Sequence, residues 1–365
     1  MTLLKKINRV LLVLLVLLVC LLLHSSLLRA SSRPKPSDHW KNLGHAARVP
    51  AERASEDPVV PVVICASEER IGATMAVINS VYSNTDASVF FYIVTLRDTV
   101  KLTRQYIVKT KLKGIAYKIL EFNPMVLKGK VKPDSSRPEL LHPLNFVRFY
   151  LPLLDIKHKR VIYLDDDVIV QGDILDLFNM KLKPGHAAAF STDCDLPSTH
   201  EMVRSIGMQP VPQTTYMGFL DYRKEEVRDL GIDPRDCSFN PGVFVADVRE
   251  WKKQKITKQL EKWMEENFRH NIYSSAMAGG VATPPMLIVF HDKYTTMDPL
   301  WHVRHMGWSP DARYSEKFLQ EAHLLHWNGP FKPWHYPAVH LDLWERWFIP
   351  DPSRKFSLVR QKRDS

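Results

Sequence analysis

Residues 161–167 read Val-Ile-Tyr-Leu-Asp-Asp-Asp, an apolar run that stops at three consecutive carboxylates. A segment apolar at every position suits a strand covered on both faces, as in a parallel sheet between helices. It also fixes where chemistry can sit, because ligands of open α/β sheets lie outside the carboxyl ends of such strands. Side chains alternate along an extended chain, so Asp165 and Asp167 are expected to face one point while Asp166 looks elsewhere. Two hard oxygen ligands there suit Mn²⁺ or Mg²⁺ shared with a phosphate. Taken alone, Asp-x-Asp fits an acidic strand-to-turn corner equally well.

The surrounding pattern extends the α/β reading. Residues 59–66 form another apolar run and read as the first strand, followed by a helix over 72–82 that turn chemistry at Ser83-Asn84-Thr85-Asp86 closes. Segments 89–96 and 116–122 read as strands, with a basic amphipathic stretch ending at Lys111 between them. Segment 144–154 reads as a helix, 187–190 and 242–248 as strands, and 256–268 as an amphipathic helix. Strands alternating with helices predict right-handed crossovers and a mostly parallel central sheet with flanking helices, in a single Rossmann-like domain over 58–350. From Gly279 onward the chain reads as irregular and rich in Pro, Trp and His, the kind of decoration that carries sites. With 365 residues, 45% of them apolar, the chain has ample material for a deep core.

The formal net charge of +10 is concentrated at the ends, in Lys5, Lys6 and Arg9 and in Arg354, Lys355, Arg360, Lys362 and Arg363. No basic stripe interleaved with aromatics crosses the middle, which argues against a nucleic-acid partner. Residues 10–28 are predominantly apolar, and about 20 such residues span a bilayer core. The basic residues ahead of them would keep residues 1–9 cytoplasmic. The run reads as a signal-anchor transmembrane helix; a cleaved signal peptide is the other reading, with Ser26 and Ala30 as small residues near a cleavage point. Both send the remainder into the secretory lumen, so the expected location is a Golgi or other secretory-pathway membrane, single-pass type II with the large domain lumenal. Residues 29–57 read as a flexible stem and 351–365 as a basic tail. Cys20 falls in the anchor and Cys65 in an apolar strand, whereas Cys194 and Cys237 either pair in an oxidising lumen or stay as separate thiols.

Five segments carry a family resemblance: Val63-Ile64-Cys65-Ala66-Ser67, Phe146-Val147-Arg148-Phe149-Tyr150, Tyr163-Leu164-Asp165-Asp166-Asp167-Val168, Phe239-Asn240-Pro241-Gly242-Val243, and His326-Trp327-Asn328-Gly329 followed by Lys332-Pro333-Trp334. In that order and spacing the chain resembles the family 8 glycosyltransferases, nucleotide-sugar transferases of GT-A type. The resemblance implies that Asp165, Asp167 and His326 ligate Mn²⁺ or Mg²⁺ and that Gly329 and Lys332 meet the diphosphate. It implies uracil contacts from Ala66 and Ser67 and a ribose contact from Asp166. Arg148 would touch the donor, and Asn240 the transferred sugar. Asn240 has the alternative of capping the strand that follows it.

The sequence departs from the family in two places. Glu69 and Arg70 stand where members commonly carry Asn-Tyr, so Arg70 would replace an aromatic on the uracil. Residues 279–285, Gly-Gly-Val-Ala-Thr-Pro-Pro, hold no carboxylate beneath the anomeric carbon. The implied activity is retaining, metal-dependent transfer of a hexose or hexuronic acid from a UDP-sugar to an unspecified glycan, protein, lipid or polyol acceptor. With no carboxylate in 279–285, attack on the face from which the diphosphate leaves is preferred, Arg148, Asn240 and Lys332 serving the reacting end. Two rival readings stand beside it. One is a catalytically silent nucleotide-sugar or glycan-binding protein of the same fold. The other is a phosphohydrolase with Asp165 as nucleophile, disfavoured because the motif lies deep in the domain and Ile169 occupies the expected Thr or Val position. Trp308 and Trp327 fit a sugar-stacking wall or a core, and Trp301 and Trp334 are expected in the core.

Overall fold

The strands are β1 (Val60–Ala66), β2 (Val89–Thr95), β3 (Ala116–Glu121), β4 (Arg160–Leu164), β5 (Val168–Val170), β6 (Ala188–Phe190), β7 (Val243–Asp247), β8 (Thr295–Thr296) and β9 (Leu324–His326). β1 is buried at every position, because its Val, Ile and Pro side chains meet helices on both faces of the sheet. The computed structural model describes residues 58–132, 138–194, 215–274, 282–309 and 313–360, and all the elements above lie within them. Strand order in the main sheet is β3-β2-β1-β4-β7-β6-β8. The pairs β1–β2, β2–β3, β1–β4 and β6–β8 are parallel, whereas β7 runs antiparallel to both β4 and β6. This is the α/β fold with a mostly parallel sheet that the alternating pattern predicts.

The crossovers are α1 (Ile71–Ser83), α2 (Val100–Val108), α3 (Ile256–His270) and α4 (Thr283–Phe290). α1 is buried on all sides over Ile71–Val81, which its Ala, Val, Ile and Met content allows. Two segments differ from the sequence reading. Residues 143–153 form 3₁₀ turns with non-helical Tyr150 instead of a regular helix, since Pro152 lacks the N–H an α-helix needs there. Conversely α4 is a regular helix inside the stretch read as irregular; its Pro284 lies at the helix start, where a missing N–H costs nothing.

Beyond residue 350 the chain keeps packing on this domain. Phe356 is buried with its ring over Gly72 of α1, leaving no room for a side chain at that glycine. Asp351 accepts the backbone N–H of Ser353, Lys355 and Phe356 and so holds this turn. Cys194 and Cys237 form a disulfide, tying the end of β6 to the loop before β7, and Cys65 is a free buried thiol. Among the described residues no helix is long and apolar enough to cross a membrane. The expected tail, anchor and stem at 1–9, 10–28 and 29–57 lie outside the described residues, as do 275–281 and 361–365.

Candidate active site

Two ladders bring the acidic segment to its partners. The antiparallel β4–β7 ladder ends with Leu164 opposite Val243, so Asp165 emerges beside Gly242 and donates its N–H to the Gly242 carbonyl at 2.7 Å. The small β5–β9 sheet pairs Val168 with His326, and Trp327 N–H bonds the Asp167 carbonyl at 3.0 Å. Asp165 to Asp167 therefore form the turn between β4 and β5, not the end of a strand. Strand alternation does not govern their directions, and all three carboxylates line the same cleft. This corrects the expectation that Asp166 faces elsewhere.

Ligand atoms of Asp165, Asp167 and His326 lie within 4.8 Å of one another. His326 Nε2 sits 2.9 Å from Asp167 Oδ1, and Lys332 Nζ donates to Asp167 Oδ2 and to the Trp327 carbonyl, both at 2.6 Å. Opposite them is Gly242, where an added Cβ would fall 2.5 Å from Asp165 Oδ2 and 2.6 Å from His326 Cε1. The space is kept by the absence of a side chain, and two carboxylates with one imidazole are a donor set that fits a divalent cation.

Cations surround this group. Arg148 forks onto Asp165, with Nη2 at 2.8 Å from Oδ1 and Nη1 at 3.4 Å from Oδ2, and donates also to the carbonyls of Pro241 and Asn145. Arg70 bridges Asp166 at 2.6 Å and Asp167 at 3.1 Å while its guanidinium lies 5.1 Å above the Trp334 ring. Burial pushes the Asp167 carboxyl upward, but Lys332, His326 and Arg70 together hold it well below the usual carboxylate range. For Asp166 burial wins over Arg70 and the carboxyl is pushed up to about 7. Burial lowers the Lys332 ammonium, against the pull of Asp167.

Behind His326 lies a buried polar chain that the sequence reading did not contain. His302 Nε2 is 2.8 Å from His326 Nδ1, and Arg304 Nη1 is 3.4 Å from His302 Nδ1. Arg304 donates to the carbonyls of Ser191 and Thr192 and lies 3.0 Å from Asp193. Burial, followed by the Arg304 charge, holds His302 well below the ordinary imidazole value.

A cleft of about 140 Å³ runs from Asp165 and Lys332 past Asn240 to Asp193, His305 and Trp308. A second cavity of about 410 Å³ adjoins it, lined by Ser67, Glu69, Arg70, His142, Leu144 and Asp166. Of the pair expected to meet a base, Ser67 lines that cavity, while Ala66 is buried and gives its carbonyl to Thr95 Oγ1 at 2.6 Å. Asn240 lines the cleft and caps the following turn as well, its Oδ1 accepting from Gly242 N–H at 2.8 Å. Arg148 lines the cleft and places four of its N–H groups on Asp165 and two carbonyls. Gly329 gives its N–H to the Met306 carbonyl, and its missing Cβ makes room for the Gly307 backbone. Trp301, Trp327 and Trp334 are buried in the core, whereas Trp308 lines the cleft. No spacing in the sequence marks His302, His305 or Arg304. They lie on a loop that meets β9 only through the fold.

Residues 61–338 match the family described as glycosyl transferase family 8. The chain belongs to that family. It is 60% identical over 98% of its length to human glycosyltransferase 8 domain-containing protein 2, covering 99% of that protein, and 49% identical to human glycosyltransferase 8 domain-containing protein 1, with 98% and 97% covered. Among solved structures it resembles the galactosyltransferase LgtC in complex with donor and acceptor sugar analogs, at TM-score 0.58 and 14% identity over 80% of this chain and 98% of that one. At that identity the likeness speaks for the fold. Family 8 membership and the Asp-Asp-His group together identify a glycosyltransferase-type domain with a candidate metal site.

Proposed function

We propose that this family 8 protein is a retaining, metal-dependent glycosyltransferase that moves a sugar from a UDP-sugar to an acceptor in the secretory-pathway lumen. The observation that carries this reading is the convergence of Asp165, Asp167 and His326 around the space left by Gly242, with Lys332 on the same carboxylate. These three residues would hold a Mn²⁺ or Mg²⁺ ion, which supplies Lewis acidity to a departing diphosphate. Lys332 and Arg70 already sit on the carboxylates and are placed to turn toward phosphate oxygens. The larger cavity beside Ser67 and Asp166 suits a nucleoside; Arg70, Asn145, Asp165 and Asp166 line both cavities, and Asn240 lines the smaller one, which would take the transferred sugar.

Retention needs either an enzyme carboxylate as nucleophile or attack from the leaving-group side. Asp193 lines the cleft, but Ser238 Oγ donates to its Oδ2 at 2.6 Å and Arg304 occupies the Oδ1 side. With Asp193 ion-paired to buried Arg304 and bonded by Ser238, the second route is favoured: the leaving phosphate would accept the acceptor's proton while the site supplies position and charge. The phosphohydrolase reading loses support on similar grounds, since Arg148 holds both oxygens of Asp165. The Cys194–Cys237 disulfide supports an oxidising compartment, in keeping with a lumenal domain behind an anchor at 10–28.

A panel of UDP-sugars incubated with the full-length protein and Mn²⁺ tests the proposal by UDP release. Release from at least one donor, abolished in Asp167→Ala, is the expected result. Tight Mn²⁺-dependent UDP binding with no donor ever consumed would instead establish a binding protein of this fold.

A further inference from the structure

One residue of the cleft lining is built in a way that points to a ligand. His305 is 95% buried, lines the cleft, and has no hydrogen-bond partner on either ring nitrogen. A buried polar atom left unpaired costs about 1–3 kcal/mol, so two on one ring are not the by-product of good packing. Its backbone is in the left-handed region at φ 68°, which a side chain with a Cβ adopts only at a cost. The conformation is enforced from both sides. Asn328 Oδ1 accepts His305 N–H at 2.7 Å, and Gly307, at φ 73°, packs its backbone against Gly329 and Phe331. The same 328–332 turn ends in Lys332, so the imidazole and the ammonium on Asp167 are set by one rigid unit.

Each cation lining the cleft lies on a carboxylate: Arg70 on Asp166 at 2.6 Å, Arg148 on Asp165 at 2.8 Å, Lys332 on Asp167 at 2.6 Å. A divalent ion then balances a doubly charged diphosphate, and no described cation is left over for a further anion. Besides His305 the lining includes Asn240, Phe219, Thr283, Trp308 and Asp193, the last matched by buried Arg304. Burial also keeps the imidazole uncharged at neutral pH, pushing it down to about 4. A neutral imidazole offers one donor and one acceptor on different edges of the ring, a pair that two separate sugar hydroxyls can satisfy.

Resting on the transferase reading above, we propose that His305 reads hydroxyls of the transferred sugar and that the cleft selects an uncharged sugar over a uronic acid. The selection follows from differential pairing. A neutral sugar can pair both nitrogens of His305, whereas a uronate carboxylate would be desolvated beside Asp193 with no cation among the described residues free to meet it.

The test is equilibrium binding to the full-length protein with Mn²⁺, using UDP, UDP-glucose, UDP-galactose, UDP-N-acetylglucosamine and UDP-glucuronic acid as probes. His305→Gly is the informative variant, because glycine accepts the left-handed backbone and the fold is retained; an unchanged thermal midpoint verifies this. In the unmodified protein at least one neutral UDP-sugar should bind 10-fold or more tighter than UDP-glucuronic acid. His305→Gly should keep UDP affinity within about threefold and erase most of that preference, and His305→Arg should shift it toward UDP-glucuronic acid. Equal preference in the unmodified protein and His305→Gly, or a native preference for UDP-glucuronic acid, overturns the inference while leaving the transferase reading intact. Failure of the unmodified protein to bind UDP at all would overturn both.

Discussion

His302 Nε2 lies 2.8 Å from His326 Nδ1, the two buried rings stacked at 14° with centroids 5.1 Å apart. Arg304 is donor-only and faces His302 Nδ1, so with both imidazoles neutral the chain of donors runs Arg304, His302, His326, Asp167. His326 then carries its proton on Nε2, toward Asp167. A cation at Nε2 would require a lone pair there, which would put the His326 proton on Nδ1, make His302 Nε2 the acceptor, move the His302 proton to Nδ1 and break the 3.4 Å contact from Arg304. His302 therefore has to hold His326 in either tautomer. Replacing His302 with Leu should weaken Mn²⁺ affinity about 10- to 100-fold, the usual range for loss of such an outer partner, while His302→Gln recovers part of it. Titration of the ion by paramagnetic resonance reads this directly; unchanged affinity in His302→Leu would show that β9 alone positions His326.

Two glycines of the site should separate function from architecture. Gly242 has an ordinary backbone, and an added methyl meets side-chain atoms of Asp165 and His326. Gly242→Ala should therefore fold, with a thermal midpoint near that of the unmodified protein, and lose Mn²⁺-dependent UDP binding by 10-fold or more. At Gly329 the methyl would strike the Gly307 backbone, which cannot rotate away. Gly329→Ala should lose several kcal/mol of stability by overpacking. Equal behaviour of the two variants in thermal melting would contradict this division.

The same contrast explains what could be read from the sequence. Buried strands announce themselves through Val, Ile and Leu runs, which is why β1, β2, β3, β4 and β7 stand where the pattern predicts them. Asp165, Asp167, His326 and Lys332 were legible as residue types in a family-like order, and the fold brings them together. The direction of Asp166 was not, because it depends on the chain turning one residue after Leu164. For Arg148 the sequence allows a donor contact or an ion pair, and the fold adds the fork onto Asp165. His302 and His305 were invisible for a stronger reason. Their meaning comes from β9 and the 328–332 turn packing beside them, and no local period encodes that contact.

Arg148 is buried, and its fork is the support of Asp165. Arg148→Met would leave that carboxylate unpaired and two carbonyls short of a donor, which should cost about 3–5 kcal/mol in chemical denaturation. Arg148→Lys keeps a charge but not the planar fork. It should unfold closer to the unmodified protein and still bind Mn²⁺ at least 10-fold more weakly. Should Arg148→Lys bind UDP poorly but the ion normally, Arg148 would be a direct phosphate ligand instead.

The Cys194–Cys237 bridge closes a loop with a sequence separation of 43. Cross-linking a loop of that length restricts the unfolded chain by about 4 kcal/mol on the chain-entropy account. Cys237→Ser, or reduction, should lower stability by up to that amount. Asp193, which lines the cleft, and Ser238, which donates to it, are neighbours of the bridge in sequence, so UDP-sugar binding should weaken more than Mn²⁺ binding. Denaturant titration with and without reductant measures the first effect; identical midpoints would mean that the bridge constrains nothing the fold does not already fix.

His305 also makes a pH dependence that can be signed in advance. Its folded-state value is pushed down to about 4 by burial, from an ordinary 6.5. The unfolded chain therefore binds a proton that the folded one refuses as pH drops below 6.5. The contribution to stability is fully present above pH 6.5 and is lost as pH falls from there toward 4, with an upper limit of about 3 kcal/mol at 1.36 kcal/mol per unit. Asparagine tolerates the left-handed backbone and does not titrate, so His305→Asn should fold and remove this component. Measured at intervals from pH 7.5 to 4.5, the unfolding free energy of the unmodified protein should fall relative to that of the variant as the medium becomes acidic, the variant showing the flatter curve. Two parallel curves would mean that the imidazole is already hydrated or paired in the folded protein.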